Sequence, residues 1–196
     1  MNNTPHTNCL TLRLLHAAKG YKAVAFDIFD TLLKRDCAHP ADLFALMEVT
    51  HQAALGFAEA RVAAEAETRQ TLGREVTLAE IYAHPALRGT DPAAECAAEL
   101  AMIAPNRPVA QAAAACHARG QKVYAVSDMY LPKEQIEAML QKCGLDFLDG
   151  VFVSCEYGVQ KRSGKLFKLF LQQTALRPAE VLFVGDSPRA DFAGAA

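Results

Sequence analysis

Lys22-Ala23-Val24-Ala25-Phe26-Asp27 is a short apolar run that stops abruptly on an acid, and the chain uses the same device twice more. Val123-Tyr124-Ala125-Val126 runs into Ser127-Asp128, and Val181-Leu182-Phe183-Val184 runs into Gly185-Asp186. Uninterrupted runs of this length, rich in Val, Phe and Tyr, predict strands buried on both faces. The strands are placed at Lys22 to Phe26, Gln121 to Val126 and Glu180 to Val184, with a fourth at Gly150 to Val153. Apolar residues at helical spacing fill Arg107 to Ala118, Pro132 to Cys143 and Gly164 to Gln173, between or just before these runs. Strands alternating with helices predict an α/β fold around a parallel sheet.

The first and second strands are separated by far more chain than one crossover helix needs. Ala41 to Ala54, Phe57 to Leu72, Thr77 to Ala83 and Asp91 to Ala104 are Ala- and Leu-rich and read as helices, with Asp91-Pro92 as a helix start. The expected architecture is a Rossmann-like parallel-sheet core, residues 1–34 and 107–196, with an inserted all-helical cap, residues 35–106. The joints fall near Lys34 to Pro40 and Ile103 to Pro108, and a cleft lies between the two bodies.

In a parallel sheet the strand ends that carry Asp27, Ser127 and Asp186 share one edge, where ligands of open α/β folds bind. Each residue alone serves equally well as a helix cap or a turn. Together they bring carboxylates close enough to repel, a repulsion that an oxygen-loving cation such as Mg²⁺ would relieve while leaving room for water and phosphate.

Phe26-Asp27-Ile28-Phe29-Asp30-Thr31-Leu32 resembles the first motif of the haloacid dehalogenase-like hydrolase superfamily. Val126-Ser127-Asp128-Met129 resembles its second motif, Gly158-Val159-Gln160-Lys161 its third, and Gly185-Asp186-Ser187-Pro188-Arg189-Ala190-Asp191 its fourth, all in order. The resemblance covers residues 22–196, and the insert is similar to the family's small helical cap. Several phrases, among them Asp42-Leu43-Phe44 and Glu75-Val76-Thr77-Leu78, resemble a subgroup with an FDIFDTLL signature.

The resemblance implies that Asp27 is the nucleophile and forms a covalent aspartyl intermediate. It implies that Mg²⁺ is held by Asp27, the backbone carbonyl of Phe29 and Asp186, with Asp191 behind them. Phosphate oxygens would be held by Ser127, Asp128 and nearby N–H groups, and Lys161 would neutralise charge on nucleophile and substrate. In Lys161-Arg162-Ser163-Gly164-Lys165 charge alone does not choose the lysine; the family pattern selects Lys161 over Lys165. The expected substrate is a small phosphorylated metabolite. The resemblance also implies a further edge strand beyond Asp191, for which the sequence shows no candidate.

One departure bears on the chemistry. Phosphatases of the superfamily carry a second Asp two residues after the nucleophile as general acid and base, and here that position is Phe29. Positioned acid–base catalysis is worth about 10²- to 10⁴-fold. Asp30, one residue later, is placed for the opposite face of a strand and fits a turn role at least as well. Dehalogenases of the superfamily carry an aromatic residue at this position and need no metal. Phosphonate cleavage through a cap lysine lacks its amine, because no lysine occurs between Lys34 and Lys122. Two alternatives therefore stand beside a phosphatase: a 2-haloacid dehalogenase-type hydrolase, and a catalytically weak or inactive binding module.

Composition narrows the rest. With 196 residues, 52% apolar and 21% charged, the chain can bury a core, which excludes a disordered polypeptide. A formal charge of −2 offers no general field for nucleic acid or anionic lipid. The six scattered cysteines form no CxxC pair and the N-terminus lacks a long apolar core, so reduced thiols, a cytoplasmic location and no membrane partner are expected. The histidines show no paired ligand spacing. Arg61, Glu65 and Arg69 stand four apart on one helix face, to meet a polar substrate or to form surface ion pairs; Glu75, Glu80, Glu95 and Glu99 read the same way.

Overall fold

The computed structural model of the chain describes residues 8–186. Four parallel strands, β1 (Ala23–Phe26), β4 (Lys122–Ser127), β5 (Gly150–Val153) and β6 (Val181–Val184), form a sheet in the order β5-β4-β1-β6. β1 is central and buried at all four positions, as its unbroken apolar sequence requires. Its side chains alternate between two cores. Val24 and Phe26 join Val123, Ala125, Ile136 and Met139 on one face, while Ala23 and Ala25 join Phe152, Phe167 and Phe170 on the other.

Helices α6 (Arg107–Ala118) and α7 (Lys133–Lys142) supply the first face and α8 (Lys165–Thr174) the second. The observed strands and flanking helices lie within a residue or two of the expected spans. Helix α1 (Cys9–Ala17), which no sequence signal had suggested, is capped by Asn8 and packs on α6, with Thr11 donating to the Pro108 carbonyl at 2.9 Å.

The insert carries α2 (Asp42–Val49), α3 (Phe57–Leu72), α4 (Leu78–Tyr82) and α5 (Pro92–Met102) around their own apolar cluster. Two expectations need correction. The helix expected to Ala54 stops at Val49, because Thr50 turns its hydroxyl back to Leu46 O (2.8 Å) and His51 adopts φ 57°. The helix expected to Ala104 stops at Met102, and the next three residues form β3 (Ile103–Pro105), antiparallel to β2 (Leu33–Arg35). A two-stranded ribbon thus brackets the four helices at the positions where the joints are expected. Asn106 pins that ribbon, its side-chain amide donating to Thr31 O and its backbone N–H to Leu32 O, each at 2.8 Å.

Among the described residues no helix is long and apolar enough to cross a membrane. All six cysteines are free.

Candidate active site

The sheet ladder places the first acid. Beyond Phe26, the Asp27 N–H still donates to Val184 O at 2.8 Å, so Asp27 sits beside the end of β6 and two residues from Asp186. The chain then folds back at once: Leu33 N–H donates to Ile28 O at 2.8 Å and Phe29 bridges to Leu33. Asp30, at φ 58° and exposed, forms the tip of this loop, a left-handed position that Asp tolerates better than most residues. It is a turn residue. Thr31 is buried and donates to Asp186 Oδ1 at 3.3 Å, tying the loop after β1 to the loop after β6.

Ser127 ends β4 and is buried. The following loop is fastened to the end of β5: Met129 N–H donates to Ser154 Oγ at 2.8 Å, and that hydroxyl donates to Met129 O at 3.3 Å. Ser154 was not singled out in the sequence; a lone serine after a strand carries no signal that distinguishes this role. The Asp128 carboxylate accepts the Lys161 backbone N–H at 2.8 Å, so this side chain faces the lysine turn rather than open space.

Lys161 opens a short 3-10 turn, Lys161–Ser163, set between Gly158 and Gly164, both left-handed at φ 65° and 71°. The turn drives the Lys161 side chain inward, where Nζ lies 2.6 Å from Asp27 Oδ1 with only 5% of the side chain exposed. Lys165, the competing cation, stays at the surface. Asp27, Lys161 and Asp186 therefore gather at one sheet edge, with Ser127 ending the strand beside β1. Asp191 lies outside the described residues.

Asp27, the Phe29 carbonyl and Asp186 present only hard oxygen donors, a set that suits Mg²⁺ completed by water and substrate oxygens rather than zinc. Among the described residues no three of His, Cys, Asp or Glu gather around a common point.

Where a general acid would stand, Phe29 is buried and the Arg35 guanidinium lies 4.0 Å from its ring centre. Arg35 forks onto Glu99 of α5 through Nε (2.8 Å) and Nη2 (3.0 Å). Burial opposes the charged guanidinium, yet the hydrogen bond and charge of Glu99 outweigh it, and the Arg35 pKa is raised. The position is filled by an aromatic ring, which has no acidic proton to give, packed against an Arg–Glu ion pair.

The Arg61, Glu65, Arg69 face is neither a surface stripe nor directed at Asp27. Arg61 is fully buried, donating to Glu95 at 2.7 and 2.9 Å and to Glu65 at 3.0 Å, while Tyr82 also donates to Glu95 at 2.8 Å. The Phe44 and Tyr130 rings lie 4.8 and 4.7 Å from the guanidinium carbon. A spacing of four fixes a shared face but not what covers it; the cover here is α5 and the loop after β4. Glu75 and Glu99 are buried as well, whereas Glu80 remains partly exposed beside Arg74.

The fold is a parallel α/β sheet with an acid after an inner strand and a lysine drawn onto that acid. The family model for haloacid dehalogenase-like hydrolases matches residues 21–196, and the chain belongs to that family. No curated protein sequence matches it. Among solved structures it is similar to the L-2-haloacid dehalogenase of Xanthobacter autotrophicus with chloropropionic acid covalently bound, at 23% identity and TM-score 0.58 over 89% of this chain and 73% of that one. It is similar to a HAD phosphatase from Thermococcus onnurineus, at 21% identity and TM-score 0.61 over 89% and 81%. A third is the HAD-hydrolase YfnB of Bacillus subtilis bound to magnesium, at 18% identity and TM-score 0.59 over 89% and 84%. Likeness at these identities speaks to the fold.

Proposed function

We propose that the chain is a Mg²⁺-dependent phosphatase acting on a small phosphorylated metabolite, with Asp27 as nucleophile. The observation that carries this reading is the placement of Asp27 between Lys161 Nζ, at 2.6 Å, and the strand end that bears Asp186. An Asp27 oxygen attacks phosphorus, the bond to the leaving oxygen breaks with its electron pair, and water later opens the aspartyl phosphate to return the carboxylate. Lys161 offsets charge on the nucleophile and the transferring group, and Ser127 holds a phosphate oxygen. Mg²⁺, held by Asp27, the Phe29 carbonyl and Asp186 with Asp191 in support, would supply charge neutralisation at the phosphoryl oxygens. With Phe29 in the acid's place the leaving oxygen takes its proton from solvent, which restricts efficient substrates to good leaving groups. The FDIFDTLL phrase supports membership of the subgroup that shares it.

Phe29 favours a second reading. Displacement of halide from a 2-haloacid by Asp27 needs no proton donor and no metal, and an aromatic residue at this position suits it. Retention of Asp186 beside Asp27 favours the phosphatase.

The test is phosphate release from aryl, acyl and sugar phosphates with Mg²⁺ or EDTA, beside halide release from 2-haloacids in EDTA. Mg²⁺-dependent phosphate release abolished by Asp27→Asn is the expected result. Halide release that persists in EDTA would replace the reading with dehalogenation, and the absence of both with tight Mg²⁺ binding would leave a binding module.

A further inference from the structure

The chemistry at Asp27 leaves a cationic groove unused. It holds about 530 Å³ and runs along the seam between insert and core. Its walls include Gln160 and Arg162, the two neighbours of Lys161, but not Lys161 itself, whose side chain turns inward to Asp27. The insert contributes Arg69 and Arg74, the core Arg162 and Lys165, and the one carboxylate in the lining is Glu75. That carboxylate is buried and occupied: it accepts from Arg69 and, across the seam, from the Gln160 amide at 2.9 Å.

The two walls differ in how their charge is met. Arg69 also meets Glu65 at 3.0 Å, and Arg74 meets Glu80. On the core wall, among the described residues, no carboxylate pairs with Arg162 or Lys165, and both are exposed. The Arg74 stem reaches over Gly158, where an added Cβ would lie 3.7 Å from Arg74 Cδ. Cations from two bodies thus face one another across a seam, in a chain whose net charge is −2. The insert-wall arginines are met by Glu65, Glu75 and Glu80, so the uncompensated charge of the groove is that of Arg162 and Lys165, which a bound anion would meet.

We propose that this groove is a second anion site, which takes a small oligophosphate group bridging insert and core. Guanidinium forks match phosphate oxygens in pairs, and a lysine adds a point charge, so a ligand with several phosphate oxygens meets both walls at once. The groove has room to spare for a diphosphate-sized group. The site does not depend on which reaction Asp27 performs.

Inorganic pyrophosphate is the probe, titrated calorimetrically in EDTA into the intact chain. The expected result is saturable binding, weakened about ten-fold or more by Arg162→Gln with Lys165→Gln, and weakened independently by Arg74→Gln on the opposite wall. Ser127→Ala, which alters the reaction site, is expected to bind pyrophosphate as the unmodified chain does. The substituted groove side chains are solvent-accessible, and circular dichroism verifies that each variant is folded. Absence of binding, unchanged affinity in the double variant or in Arg74→Gln, or loss of binding in Ser127→Ala would each overturn the proposal.

Discussion

Lys161 Nζ and Asp27 Oδ1 lie 2.6 Å apart although 134 residues separate them, and both side chains are almost entirely withdrawn from solvent. Removing the ammonium strips a cation from a nearly buried carboxylate, and breaking such a pair from one side costs about 3 kcal/mol or more. Lys161→Met is therefore expected to lower stability by roughly that amount in urea denaturation. Asp27→Asn with Lys161→Met removes both charges together and is expected to cost less than the two single changes added. Strict additivity would show that the two groups do not interact.

Phe29 and Arg35 set the leaving-group preference. With no acid two residues after Asp27, turnover should fall steeply as the leaving group becomes more basic, an aryl phosphate exceeding an alkyl phosphate by about 10²-fold in kcat/KM. Phe29→Asp alone is expected to leave this slope steep, because the Arg35 guanidinium, now 4.0 Å from the ring centre, would hold the new carboxyl ionised. Adding Arg35→Gln and Glu99→Gln removes that pair, and the slope should flatten. The measurement is log kcat against leaving-group pKa for the three proteins.

The parallel sheet was legible because its strands are buried on both faces, so Val24 and Ala25 are both apolar although they face different cores. The site was legible because parallel strands must end at one edge, whatever their separation in sequence. The ribbon between insert and core was not: Leu33-Lys34-Arg35 and Ile103-Ala104-Pro105 are too short to show a two-residue period, and their pairing is set by chain segments some seventy residues apart. The exposure of charged helix faces was not legible either. Arg61 carries the same sequence signal as a solvated arginine, and only the arrival of Glu95 and Tyr130 from elsewhere in the chain makes it an interior residue.

Arg61 organises the insert's interior and not its surface. Its guanidinium makes three hydrogen bonds to Glu95 and Glu65, and the Phe44 and Tyr130 rings lie within cation–π range of it. Arg61→Ala leaves the buried Glu95 without its fork and opens a cavity, and is expected to cost about 3 to 5 kcal/mol. Arg61→Lys is expected to recover only part of this, since a single ammonium cannot meet Glu95 at two oxygens and Glu65 at once. Denaturation midpoints of the three proteins check the order.

Acid should loosen the insert at the start of α4. There Thr77 and Glu80 form a reciprocal capping box, and Arg74 donates to Glu80 from outside the helix. The Arg74 hydrogen bond, followed by the Thr77 backbone N–H, lowers the Glu80 pKa from 4.5 to about 2. A depressed carboxylate contributes stability that is complete above its unfolded pKa and lost as pH falls through the folded one. The Glu80 contribution is thus full above about pH 5 and declines from there toward pH 2, and because the carboxylate is partly exposed, solvent screening keeps it small. Glu80→Gln keeps the shape of the cap but not the charge. Its Tm should lie below that of the unmodified chain at pH 7, and the gap should close as pH is lowered from 5 to 2. A gap that stays constant across that window would assign the cap's contribution to hydrogen-bond shape rather than to charge.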